Sequence, residues 1–216
     1  MSYLGTSARG VIGMTGLCAL CRAVDERLAE ERHLYEIQLF SSTSFVVIPA
    51  VGSVAPGHVM VVSRKHFLNL ASMGASGVQE YNALIESIAL RQGYSRGDLL
   101  EAEHGSSEHE SAGACITHVH INVIPGFGPM VDFLDGKLPQ LEIDDGLEML
   151  NASAAPYILS RGAGLVRLYK AHAVPSQFIR RVLFAKIGRD DWDWVVFPHI
   201  EAVKETLRLW GREPHV

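Results

Sequence analysis

Between Gly113 and Pro125 the chain reads Gly-Ala-Cys-Ile-Thr-His118-Val-His120-Ile-Asn122-Val-Ile-Pro. From Ile116 to Ile124 polar and apolar residues alternate, the period of a half-buried β-strand. Side chains two apart share a face at a spacing of roughly 6.6 Å. His118, His120 and Asn122 therefore form one polar row facing away from the core, and Val119, Ile121 and Val123 form the opposite face. An imidazole can attack phosphorus directly, splitting one difficult displacement into two easier ones through a covalent intermediate. A carboxamide can hold charge by donating a hydrogen bond, but it cannot protonate a leaving group near neutral pH. Either the leaving group is a good one, such as phosphate, or another residue supplies the proton; His104 and His109 are the candidates. The Gly/Ser-rich run before the strand, with Ser111, Gly113 and Cys115, can bring backbone N–H groups to an anion. A bare His-x-His also suits a decorated surface. Three polar residues at perfect alternation, set against an unbroken aliphatic face, favour a site.

Cys18-x-x-Cys21 is half of a tetrahedral zinc site and needs two further ligands. Two other readings are open for it: small buried residues on a short helix, and a thiol redox pair.

At these residues the sequence resembles the histidine-triad superfamily of nucleotidyl hydrolases and transferases. The family signature is His-φ-His-φ-His-φ-φ, with φ hydrophobic, against His118-Val-His120-Ile-Asn122-Val-Ile here. Asparagine replaces the third histidine, which is closer to the galactose-1-phosphate uridylyltransferase-like and dinucleoside polyphosphate phosphorylase-like branches, where glutamine stands. Upstream, Phe45-Val-Val-Ile-Pro-Ala and Pro56-Gly-His58-Val-Met-Val-Val-Ser-Arg-Lys-His66 are similar to the family's hairpin and its closing turn. The resemblance implies His120 as nucleophile toward the α-phosphate of a nucleotide, its near nitrogen held by a backbone carbonyl, with Asn122 beside it. It implies a base and ribose lying against the hairpin around Phe45, Ile48 and Pro49. It also implies a structural zinc on Cys18, Cys21, His66 and His118, with His104 as the rival ligand, and a homodimer. Arg64 and Lys65 could add charge near the phosphates, although a plain surface position explains them as well.

The elements that must position these residues follow from pattern. Tyr35–Phe40, Phe45–Ala50 and His58–Arg64 read as strands separated by turn residues, and Asp98–Glu103 reads as another. Residues 75–92 carry Val78, Tyr81, Leu84, Ile85, Ile88 and Ala89 at helical spacing, with Gly93 as the stop. The expectation is an α+β fold, an antiparallel sheet crossed by one long helix, with the resemblance covering residues 15–128. Residues 129–216 form a C-terminal extension packed on the same core. In it a hairpin spans Tyr157–Ser160 and Leu165–Lys170, one helix runs from Pro175 to Ile187, and another covers 199–210. Trp192 and Trp194 anchor the extension. Gln177, Arg180 and Arg181 share one stretch of its first helix, either as a solvated face or as a grip on a second phosphate. Its Ser176-Gln-Phe-Ile-Arg-Arg run is similar to an extension found in an RNA-processing branch, so a module that binds nucleotide and docks a partner is the alternative to an enzyme.

Composition bounds these readings. The 216 residues hold one good core, with 48% hydrophobic and 20% charged positions. A formal charge of −5 argues against broad nucleic-acid binding, which needs a basic footprint. No apolar run reaches membrane-spanning length. Three cysteines without a disulfide-like framework point to a reducing, cytoplasmic setting.

Overall fold

The computed structural model describes residues 18–107, 117–141 and 155–213. Eight strands form one antiparallel sheet: β1 (Phe40–Ser41), β2 (Phe45–Pro49), β3 (Val59–Ser63), β4 (Leu99–Gly105), β5 (His120–Pro125), β6 (Gln140–Leu141), β7 (Tyr157–Gly162) and β8 (Leu165–Lys170). Their spatial order is β1-β2-β3-β5-β4-β7-β8-β6. β5 sits between β3 and β4, with Val62 opposite His120 and both Met60 and Ala102 opposite Asn122. The extension continues this sheet, because β7 pairs along β4 from Glu101↔Arg161 to Gly105↔Tyr157.

One face of the sheet is covered by helix α2 (Gly74–Gln92), as the apolar spacing requires. Tyr81, Leu84, Ile85, Ile88 and Ala89 pack there on Val47, Val61, Ile121 and Val123. Burial of each large side chain contributes about 1.5–3 kcal/mol. The helix stops at Gly93, whose left-handed backbone (φ 77°) lets its N–H reach the Ala89 and Leu90 carbonyls. The Tyr81 hydroxyl reaches down to the buried carboxylate of Glu101 at 2.7 Å, which Arg96 also holds at 3.0 Å.

The other face is not open, contrary to the expectation of a row facing away from the core. Helix α1 (Ala19–Val24) lays Leu20, Ala23 and Val24 over Val46, Ile48 and Val62 at one end. Helix α3 (Phe178–Lys186) covers Leu100, Ala102, Ile124 and Ile158 at the other, with Ile179, Val182 and Leu183. His120 and Asn122 lie in the seam between these two apolar clusters.

Most strand ends move by one or two residues, and larger departures from the sequence reading occur elsewhere. Tyr35–Phe40 is not a strand: Leu34–Glu36 is a 3-10 turn, closed where Glu36 accepts from the His33 N–H at 2.8 Å. Glu36 also takes both short bonds from Arg22, and a carboxylate turned inward toward that cation ends the extended run. β5 begins at His120, leaving His118 in a bend before it. Helix α3 begins three residues after Pro175, because Gln177 adopts a left-handed conformation. Helix α4 (Ile200–Leu209) falls within the expected range. Among the described residues no helix is long and apolar enough to cross a membrane.

Candidate active site and metal centre

Residue parity along β5 sets the site. Val119, Ile121 and Val123 belong to the cluster beneath α2, so His118, His120 and Asn122 must turn to the α1 and α3 face. The half-buried His120 ring donates through Nδ1 to the His118 carbonyl at 2.7 Å. That bond leaves Nε2 with its lone pair, the nitrogen a nucleophile needs. Burial holds the ring below the usual histidine range, the His118 carbonyl opposes this, and the charge of Arg180 adds to the lowering. The imidazole is neutral at pH 7.

His58 is a partner the sequence reading did not assign. It precedes β3, is 1% exposed, and sets Nε2 3.1 Å from Asn122 Oδ1. Its Nδ1 accepts from the Val54 N–H at 3.2 Å, so the ring proton belongs on Nε2 and is donated to the asparagine carbonyl. Burial, then the charge of Arg180, push the His58 pKa down to about 3 against the opposing Asn122 bond. With its oxygen fixed in this way, the Asn122 amide presents N–H donors and no acid.

The four expected metal ligands converge. Cys18 Sγ and Cys21 Sγ lie 3.6 and 3.5 Å from His118 Nδ1, and Cys21 Sγ lies 3.3 Å from His66 Nδ1. All four ligand atoms fall within 4.8 Å of one another. A tetrahedral zinc with ordinary Zn–S and Zn–N bonds places its ligand atoms roughly 3.4–3.8 Å apart, so the donor set fits. The tautomer fits as well: His118 Nε2 donates to the Ser63 carbonyl at 2.8 Å, leaving Nδ1 for a metal. Burial, with the neighbouring imidazole charges, lowers His118 to about 4, and it is therefore a neutral ligand at pH 7. Without a metal, burial and then Cys18 push the Cys21 thiol up to about 11. His104 is absent from the cluster. The β4–β5 register instead carries it beside His120, one strand over.

Other expected residues land differently. Phe45 points to the opposite face, fully buried with its ring centroid 6.0 Å from that of Tyr81. It is core, because odd positions of β2 turn under α2. Ile48 does share the Asn122 face, in a cross-strand row with Met60, but it is packed beneath α1. Ser111, Gly113, Cys115 and His109 lie outside the described residues. Arg64 is drawn to the Ser42 carbonyl at 3.1 Å and toward Glu26 at 3.5 Å, and Lys65 is exposed. Gln177 ties to Asp193 at 2.9 Å, Arg181 stacks over Trp192 at 5.3 Å, and Arg180 alone of this trio reaches back to the first half of the chain.

That reach is part of a clamp. The turn between β2 and β3 receives four bonds from the extension. Arg180 Nη2 donates to the Val51 carbonyl at 2.9 Å, and Arg189 Nη1 to the Val54 carbonyl at 3.1 Å. The Gly52 N–H donates to the Pro198 carbonyl at 2.8 Å, and the Gly57 N–H to Thr206 Oγ1 at 2.9 Å. Trp194 packs so closely on Gly52 that a Cβ there would lie 2.5 Å from the tryptophan Cβ.

No family model and no curated protein matches the chain. Several solved structures are similar to it. A hypothetical histidine triad nucleotide-binding protein of Sulfolobus tokodaii is 24% identical over 50% of this chain and 68% of its own, at a TM-score of 0.38. A hypothetical protein of Leishmania major is 14% identical over 64% and 93%, at 0.39. A Hit-like protein involved in cell-cycle regulation from Bartonella henselae is 16% identical over 54% and 79%, at 0.34.

Proposed function

We propose that the chain is a histidine-triad-like nucleotidyl transferase or hydrolase, stiffened by a structural zinc, that works through a nucleotidyl-His120 intermediate. One observation carries the reading: the bond from His120 Nδ1 to the His118 carbonyl, which leaves an unprotonated Nε2 in a seam beside a fixed amide. Nε2 forms a bond to the α-phosphorus as the bond to the leaving oxygen breaks. Nδ1–H stays on its carbonyl and shares the positive charge that develops on the ring. Asn122 N–H donors hold a phosphate oxygen throughout. Water or a second substrate then takes the nucleotidyl group from Nε2. Cys18, Cys21, His66 and His118 would hold the zinc, which ties α1 to the residue preceding β5 and fixes the carbonyl that orients His120. The reading includes a homodimer formed away from the two-residue edge strands β1 and β6, whose short rows of backbone groups offer little to a second copy.

The experiment is intact-mass analysis after mixing with nucleotides and quenching at alkaline pH, where phosphorus–nitrogen bonds on histidine survive. A nucleotidyl adduct on His120, absent from His120→Ala, supports the reading. Undiminished turnover of nucleotide anhydrides by His120→Ala would overturn it.

A further inference from the structure

Ser63 is the last residue of β3 and is fully buried, and each of its three polar groups is engaged with a segment that carries a histidine of the metal centre. Its carbonyl accepts from His118 Nε2 at 2.8 Å, and its N–H donates to the Val119 carbonyl at 3.2 Å. Its hydroxyl donates to the Lys65 carbonyl at 2.7 Å, at the peptide that leads into His66. We propose that Ser63 is a positioning residue of the zinc centre, its carbonyl aiming the His118 ring and its hydroxyl bending the chain so that His66 completes the ligand set. This rests on the reading of Cys18, Cys21, His66 and His118 as zinc ligands, and adds the residue that brings the exposed ligand to the other three.

The path of the chain after β3 shows what the hydroxyl does. Arg64 still follows the sheet, its N–H donating to the Ser44 carbonyl at 2.8 Å. By Phe67 the chain has come round to the other side of the residues before β5, where the Phe67 carbonyl accepts from the Val119 N–H at 2.8 Å. Residues 63 and 67 thus hold the backbone at Val119 from both sides, and His66 lies on the bend between them. The Arg64 side chain leaves this bend for the Ser42 carbonyl, and Lys65 is exposed. Among the described residues, no side chain other than Ser63 bonds to the backbone of 64–66. A serine hydroxyl that reaches a nearby carbonyl gives the backbone an alternative to the strand ladder. Here it fixes the Lys65–His66 peptide, from which His66 sets Nδ1 3.3 Å from Cys21 Sγ and its ring centroid 4.7 Å from that of His118.

The two roles can be separated. Ser63→Ala keeps both backbone bonds of residue 63, so His118 stays aimed, and it removes only the hold on the peptide before His66. The effect therefore falls on one ligand of the four. Groups that orient a metal ligand from behind typically change metal affinity by about 10–100-fold.

The test measures zinc affinity of the full chain by competition with a chromophoric chelator, in the parent, Ser63→Ala, His66→Ala and the double variant. The expected result is that Ser63→Ala weakens zinc at least tenfold. In the His66→Ala background the same substitution changes affinity less than twofold, because the ligand it positions is gone. Zinc held by Ser63→Ala as tightly as by the parent overturns the proposal. Equal losses in both backgrounds overturn it too, since the hydroxyl would then act through the core at large, and so does a Ser63→Ala chain that fails to fold. A parent that takes up no zinc is a different result: it removes the metal reading itself, and the role of Ser63 with it.

Discussion

His58 Nε2 and Asn122 Oδ1 lie 3.1 Å apart although 64 residues separate them in sequence, and this bond fixes the amide oxygen on His58 and turns the amide N–H donors away from it. On the proposed mechanism, Asn122→Asp replaces a fixed donor by an anion beside the substrate phosphate. Turnover is expected to fall at least tenfold, about 1.4 kcal/mol in the barrier. The new carboxylate also raises the His58 pKa from about 3. Histidine NMR titration checks this, and a His58 that still refuses protonation above pH 4 in the variant contradicts it.

His58→Ala leaves the buried Val54 N–H without its acceptor and the Asn122 carbonyl without its donor. A loss of about 1–3 kcal/mol in folding free energy follows from one such orphaned group. Urea unfolding measures it, and a variant as stable as the parent would mean that water replaces the ring at no cost.

Metal analysis is expected to find about one zinc per chain, the stoichiometry of a four-ligand site. Cys18→Ser and Cys21→Ser each remove it and lower the unfolding temperature, because α1 then keeps its packing on Val46, Ile48 and Val62 and the Arg22–Glu36 ion pair but loses its tie to His118. His66→Ala acts more mildly on stability, since His66 is exposed and His118 is buried. Zinc retained by both cysteine variants would overturn the ligand set.

Glu103 is buried under α2, where burial raises its pKa to about 7 despite bonds from Tyr157 and the Leu70 N–H. The folded state therefore holds a proton that the unfolded chain releases near pH 4.3. The contribution of Glu103 to stability is full below that pH and is lost as pH rises to about 7, by on the order of 3 kcal/mol. Glu103→Gln is expected to flatten this slope in unfolding curves taken between pH 4.5 and 7. A parent whose stability is level across that window would refute the assignment.

Gly52 combines a left-handed backbone (φ 63°) with the close approach of Trp194 and Arg180. Gly52→Ala strains the backbone and displaces both side chains, with an expected cost of about 2 kcal/mol.

Much of this site was legible in the sequence. Strict alternation around His118, His120 and Asn122 pointed to their common face, and Cys18-x-x-Cys21 with His66 and His118 pointed to side chains that the fold brings within 4.8 Å of one another. Both signals are local, as is the apolar stripe of α2 with its stop at Gly93. What was missed depends on pairings that only the folded sheet decides. Phe45 and Ile48 differ in face because β2 alternates as β5 does, and nothing local says which parity faces the site. His58 sits in an apolar run and acquires meaning only when β3 is laid beside β5. Arg180 reads as one cation on a solvated helix until α3 docks against the β2–β3 turn.

The clamp on that turn has a consequence for synthesis of the chain. A nascent protein that has emerged only as far as the end of β5 exposes a bare β4 edge and an unsupported turn, with His58 free to wander from Asn122. On the proposed function, the His120 site is complete only once the last third of the polypeptide is made, and a shortened version cut after β5 is expected to be inert even if it stays in solution.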